Sequence, residues 1–229
     1  MRISLFDFQE DAKAKLIEKI KASRALQTMN QGQQIITFSA PTGAGKTIIM
    51  TSLFEDVLFG TADIEAQPDS IFVWLSDMPD LNEQSKQKIA SKSDMLRTNQ
   101  LITIDSSFQA ESLEPGNVYF LNTQKLGSDK LLTHRSDQRQ FTIWEALTNA
   151  ATQYPNQLYV VIDEAHRGMN ISSRAENAAN SIMQKFIVGS EADGLCAMPL
   201  IIGITATPQR FQRMIAETTA TKHSVVVSP

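Results

Sequence analysis

One short segment carries residues whose types and spacing can handle phosphate. Ala40-Pro-Thr-Gly-Ala-Gly-Lys-Thr47 stands between an apolar, β-rich run and a stretch of helical periodicity, the setting that a phosphate-binding loop needs. Gly43 and Gly45 let backbone N–H groups close round phosphate oxygens, and the start of the helix adds its partial positive charge. Thr42, Gly43, Ala44 and Gly45 are therefore expected nucleotide contacts, with Lys46 reaching the β- and γ-phosphates and the Thr47 hydroxyl ligating Mg²⁺. The first position is Ala40, where the strict pattern has Gly.

Asp163-Glu164-Ala165-His166 ends the apolar run Leu158 to Ile162. Taken alone, an Asp-Glu pair after a strand is more often a pair of helix-start charges. Joined to an upstream phosphate loop it reads as catalytic: phosphoryl transfer to water needs a carboxylate on the metal, which suits Asp163, and a group that positions the nucleophile, which suits Glu164. Gly203-Ile-Thr-Ala-Thr-Pro208 closes a second buried run. It either presents the Thr205 and Thr207 hydroxyls at the same edge or is simply a strand-ending turn stopped by Pro208. Near the N-terminus, Phe6 and Phe8 are rings that suit either a core or a stack on adenine, and the Gln9 amide can pair with an adenine edge.

These residues need a scaffold that brings them to one place. Helical spacing of Leu5, Phe8, Ala12, Leu16 and Ile20 predicts a helix over 7–28, and Ile35 to Ser39, the glycine loop, then Lys46 to Phe59 read as strand, loop, helix. Further strands are expected at Ile71 to Leu75, Leu101 to Ile104, Val118 to Asn122, Leu158 to Ile162 and Leu200 to Thr205, with helices at Asp80 to Lys92, Phe141 to Gln153 and Ser173 to Ile187. Leu158 to Ile162 and Leu200 to Thr205 are β-branched without polar alternation, as strands buried on both faces of a parallel sheet must be. Alternating strands and helices predict an α/β fold with a mostly parallel sheet, whose ligands bind beyond the carboxyl ends of the strands. One domain over 1–229 is expected, with the polar interval Gly127 to Gln140 as a mobile surface loop and no strand-helix unit after Pro208.

Composition removes other classes. With 42% hydrophobic and 20% charged residues the chain is neither disordered nor fibrous. Its 21 Lys plus Arg against 25 Asp plus Glu leave a charge of −4, which excludes whole-surface nucleic-acid binding and makes any such contact local. The single Cys196 excludes an internal disulfide and fits a reducing compartment. No apolar run approaches the roughly 20 residues of a membrane span, and Arg2 is followed by Asp7, Glu10 and Asp11 with no secretory h-region. A cytoplasmic protein without membrane partners is the expectation.

Taken in order, the motifs resemble the first RecA-like domain of superfamily 2 helicases and translocases of the DEAH-box kind. Phe8-Gln9 resembles the adenine-reading glutamine motif, Ala40 to Thr47 motif I, Asp163 to His166 motif II, and Thr205-Ala-Thr207 motif III. Arg167-Gly168 and the segment Phe141 to Leu147 resemble most closely the restriction (Res) subunits of type III restriction enzymes. The resemblance implies a P-loop NTPase fold and ATP hydrolysis with Mg²⁺ coupled to movement on duplex DNA. It implies that Phe8 and Gln9 read adenine and that His166, Thr205 and Thr207 couple the nucleotide state to a second domain, although His166 also suits a structural role. Where the family shows Pro-Thr with a basic neighbour, Ser76-Asp-Met-Pro-Asp80 adds acids; Leu121 to Leu126 matches a DNA-facing motif, which nominates Thr123, Gln124 and Lys125 for a DNA backbone.

Such motors carry a second RecA-like domain with an arginine finger worth about 10³ to 10⁵ in rate. The chain is thus expected to be a fragment that binds Mg-ATP and hydrolyses it very slowly, within a restriction-modification or defence system whose methyltransferase or specificity subunits are further partners. Two other classes remain open: a nucleotide-binding switch or interaction module in which nothing translocates, and a small-molecule kinase, for which no lid-like Arg cluster is present. Cleavage is not assigned, since no carboxylate cluster with a Lys stands outside Asp163-Glu164.

Overall fold

Every adjacent pair of strands in the central sheet is parallel. The computed structural model describes residues 1–29, 32–137, 139–165 and 182–227. The strands are β1 (Gln34–Ser39), β2 (Ile71–Ser76), β3 (Leu101–Thr103), β4 (Val118–Asn122), β5 (Leu158–Ile162), β6 (Leu200–Thr205) and β7 (Thr221–Val226). They lie in the order β3-β4-β2-β5-β6-β1-β7. The helices are α1 (Asp7–Thr28), α2 (Lys46–Phe59), α3 (Pro79–Lys92), α4 (Ile143–Gln153), α5 (182–188) and α6 (Pro208–Ile215).

Each strand alternates its side chains between two helical layers. Ile36, Phe38, Trp74 and Val161 share one core with Leu16 of α1, Phe54 of α2 and Ile89 of α3. Ile35, Val73, Val160 and Ile201 share the other with Leu147 of α4, Phe186 of α5 and Phe211 of α6. Both faces of β1, β2, β5 and β6 are therefore dry, and all their residues are buried. The long apolar runs are a direct consequence.

Two expectations fail. After Pro208 the chain does build another unit, α6 followed by β7. Only Phe211 and Ile215 of α6 are buried, and β7 at the sheet's edge buries Val225 while Lys222, Ser224 and Val226 stay exposed. Half-polar edge strands lack the apolar run that marks a central one. The interval 127–140 is also not a loose connection. Leu131–Thr133 forms a 3₁₀ turn, and Arg139 is buried with its guanidinium on the carbonyls of Leu131, Ser106 and Phe108. The helix expected from Ser173 is described only over 182–188; the rest of it, with His166 and Arg167-Gly168, lies outside the described residues.

Gly203 in β6 is where α6 presses closest. A Cβ there would stand 2.3 Å from Cε1 and 2.4 Å from Cζ of the fully buried Phe211 ring. Gly203→Ala is expected to cost about 1–3 kcal/mol by overpacking. A urea midpoint left unmoved would show that the ring yields freely. Combined with Phe211→Leu the loss should be less than additive, because the two sites are in contact.

Candidate functional site

The loops that follow β1, β5 and β6 come from neighbouring strands and end level with one another. Ser39 of β1 pairs with Thr205 of β6, and Ile162 of β5 pairs with Gly203, so the residues beyond them emerge on one carboxyl edge. Strands about 4.8 Å apart put the ends of β1 and β5 roughly 10 Å from each other, within the joint reach of a Lys and a Glu. Backbone bonds tie the starts of the first two loops to neighbouring strands: Ala40 N donates to Thr205 O of β6 at 3.1 Å, Ala165 N to Ile204 O of β6 at 2.8 Å, and Asp163 N to Leu75 O of β2 at 2.9 Å.

The glycine loop turns through two left-handed residues, Gly43 at φ 86° and Gly45 at φ 80°. Ala44 N donates to Pro41 O, and Ile48 N and Ile49 N both donate to Gly45 O, which opens α2 at Lys46. No side chain caps this helix start. A Cβ on Gly43 would meet nothing within 4 Å, whereas one on Gly45 would stand 2.5 Å from Gln9 Nε2. The loop is thus open on one side and braced by α1 on the other.

Gln9 supplies the brace. Its Nε2 donates to Ala44 O at 3.0 Å, its Oε1 accepts from Phe6 N at 3.0 Å, and the side chain is 5% exposed. The amide orientation follows from those two partners. Phe8 is half-buried against the α1–α2 core, while the Phe6 ring, 69% exposed, lies nearly parallel to it with centroids 6.0 Å apart. The more accessible ring of the pair is therefore Phe6, which the sequence left between two readings.

Lys46 Nζ lies 3.5 Å from Ala40 O and 3.7 Å from Glu164 Oε1. Thr47 stands beside it in the first turn of α2, with its carbonyl accepting from Thr51 Oγ1 at 2.7 Å. Glu164 is the one non-glycine at positive φ among the described residues, at 50°. Its N–H donates to Asp163 Oδ1 at 3.0 Å. A carboxylate residue held left-handed costs on the order of 1–3 kcal/mol, and such strain gathers at functional sites. Thr205 is fully buried and its Oγ1 accepts from Thr207 N at 3.0 Å, so this pair does form a tight turn ahead of Pro208.

Four strands along the same edge, the turn Thr123–Lys125 follows β4. Asn122 Oδ1 accepts from Gln124 N at 2.8 Å, and Gln124 Nε2 donates to Asp77 O at 3.1 Å, tying this turn to the acidic segment after β2. Thr123 is 1% exposed; Gln124 and Lys125 form the outer surface. Among the described residues no group of three or more His, Cys, Asp or Glu could cage a metal. A Mg²⁺ held by one hydroxyl, one carboxylate and phosphate oxygens needs no such cage, and the open glycine loop with Thr47 and Asp163 at one edge fits that donor set.

A family model described as "Type III restriction enzyme, res subunit" matches residues 2–210. The chain belongs to this family. The res family assignment makes the α/β scaffold that of a helicase-like ATPase domain. No curated relative matches the chain in sequence. Among solved structures, it is similar to an S. cerevisiae Dbp5 variant bound to RNA and ADP BeF3, at 11% identity and a TM-score of 0.46, covering 98% of this chain and 51% of that one. It is also similar to the DUF1998 helicase MrfA bound to DNA, at 13% identity and a TM-score of 0.43, covering 99% and 30%. The res-family chain thus spans about half or less of the length of these helicases. No described helix is long and apolar enough to cross a membrane.

Proposed function

We propose that the chain is the ATP-binding half of a DNA-dependent motor, a helicase or translocase working within a restriction-modification or defence system. The observation that carries this reading is the meeting of Lys46 Nζ and Glu164 Oε1 at 3.7 Å, across loops from strands two places apart. In this reading the N–H groups of residues 42–47 and the Lys46 ammonium hold the phosphates, and Gln9 braces the loop while Phe6 or Phe8 flanks the base. Thr47 and Asp163 hold Mg²⁺, which when bound neutralises phosphate charge. Glu164 orients the attacking water and takes its proton. Thr205 and Thr207, with His166, pass the state of the site to a second RecA-like domain.

Duplex DNA would lie along the carboxyl edge, against Gln124 and Lys125 with Thr123 beneath them, as a local patch on an acidic chain. Methyltransferase or specificity subunits would be its further partners. Because the stimulating arginine is assigned to the second domain, slow turnover is expected of the 229 residues alone. The test is the steady-state ATPase rate with Mg²⁺, with and without long duplex DNA, alongside equilibrium ATP binding. Binding with a near-background rate that DNA does not raise is the expected result. A brisk, DNA-stimulated rate would overturn the half-motor reading, and absence of Mg-ATP binding would overturn the ATPase itself.

A further inference from the structure

The Gln9 amide already has a partner at each end inside the protein. Its Nε2 donates to Ala44 O and its Oε1 accepts from Phe6 N, both at 3.0 Å, and only 5% of the residue is exposed. The amide also lies flush on the glycine loop, where a Cβ on Gly45 would stand 2.5 Å from Nε2. Reading adenine bidentately needs one amide donor and one amide acceptor turned to its edge, and these are the same two atoms. Turning them outward would break both protein bonds and strip Ala44 O and Phe6 N of their partner. The bonds gained from adenine would then offset the bonds lost, with little net preference for that base.

A site that selects a substrate by hydrogen bonds rejects an analogue because its own buried polar atoms are left unpaired. Gln9 escapes that penalty, since whichever base arrives its amide stays bonded to Ala44 and Phe6. What faces the base is mainly ring surface. The Phe6 ring is 69% exposed and lies within 8° of parallel to that of Phe8. A recess of about 70 Å³ opens beside Phe8, against Ala12 and Val226, well short of the roughly 300 Å³ at which a cavity begins to enclose a ligand. Asp11 and Lys15 at its rim are exposed, so a bond from either to a base replaces one to water. Stacking accepts every base, because every base has a π-face.

We propose that this site takes nucleoside triphosphates as a class, purine and pyrimidine alike, and that Gln9 is a positioning residue for the glycine loop instead of a reader of adenine. The action follows from the planar trans peptide, in which C=O and N–H point opposite ways. By drawing Ala44 O toward α1, Gln9 turns the N–H of Gly45 away from α1, to the side of the loop left open for phosphate. The proposal rests on the nucleotide-binding reading above and adds to it the substrate class and the action of Gln9.

The test is displacement of a ribose-labelled fluorescent ATP analogue from the 229-residue chain in Mg²⁺ by ATP, GTP, CTP and UTP. The wild type is expected to bind all four within about tenfold of one another, as sequence-tolerant stacking allows. Gln9→Ala should weaken all four by a common factor of about three to ten, the worth of a hydrogen bond or so. Gln9→Glu keeps an acceptor for Phe6 N and suits the first turn of a helix, so it should melt with the wild type. It has no donor for Ala44 O and should show the same uniform loss. A preference for ATP over any other triphosphate above about tenfold, or a loss in the variants confined to ATP, overturns the base indifference. Unchanged affinities in both variants overturn the positioning role. If the wild type binds no triphosphate at all, the nucleotide-binding reading falls with the proposal.

Discussion

Lys46→Ala is expected to bind Mg-ATP about ten- to a hundredfold more weakly than the wild type. The ammonium lies 3.7 Å from Glu164 Oε1, and a charge-assisted hydrogen bond to phosphate is worth about 1.5–3 kcal/mol. Alanine is a good residue for the first turn of α2, so the variant should keep the wild-type melting temperature, which separates a lost ligand contact from a lost fold. Titration with a fluorescent ATP analogue decides the matter. Unchanged affinity would remove the phosphate-loop assignment and everything built on it.

Glu164 supplies the second large effect, because activity and stability should move in opposite directions there. Glu164→Asn removes the carboxylate that orients water, an expected loss of about 10² to 10⁴ in the hydrolysis of a protein in which the second RecA-like domain is joined to this one. Asn also tolerates the left-handed backbone that Glu164 adopts at φ 50°. Relief of that strain should add about 1 kcal/mol, or roughly 2–4 °C in melting temperature for a chain of this size. Glu164→Gln is the control: it removes the same charge, and the same partly exposed contact with Lys46, but keeps the strained backbone. It should lose hydrolysis equally and gain no stability. If the two variants melt together, the left-handed backbone of Glu164 carries no useful strain.

Sequence made the interior legible and the rim less so. Leu158 to Ile162 and Leu200 to Thr205 appear in the structure with the bounds that their apolar runs predict, because a strand dry on both faces admits little else. Val118 to Asn122, the helix from Asp7 to Thr28 and the helix from Lys46 to Phe59 hold for similar reasons of periodicity. β7 was hidden because an edge strand buries so little that Thr221-Lys-His-Ser reads as coil. Arg139 looked solvated because a string of mixed charges carries no sign of which side chain turns inward.

The site divides in the same way. The placement of Lys46, Thr47, Asp163 and Glu164 at one edge follows from glycine chemistry and from parallel strands, both visible in residue types. The inward use of the Gln9 amide is not, since only the docking of α1 on the loop decides whether an amide faces a base or a carbonyl. Nor does any sequence signal mark the backbone of Glu164.

β1 lies between β6 and β7, with Gln34 in register with Leu200 on one side and Thr221 on the other. The strand that launches the glycine loop is made well before both of its neighbours. At about 5–20 residues per second, β1 waits for tens of seconds or less with both hydrogen-bonding edges unpaired, in a topology whose distant contacts also slow refolding. The strand under the glycine loop is therefore held on both sides only after β6 and β7 have been made.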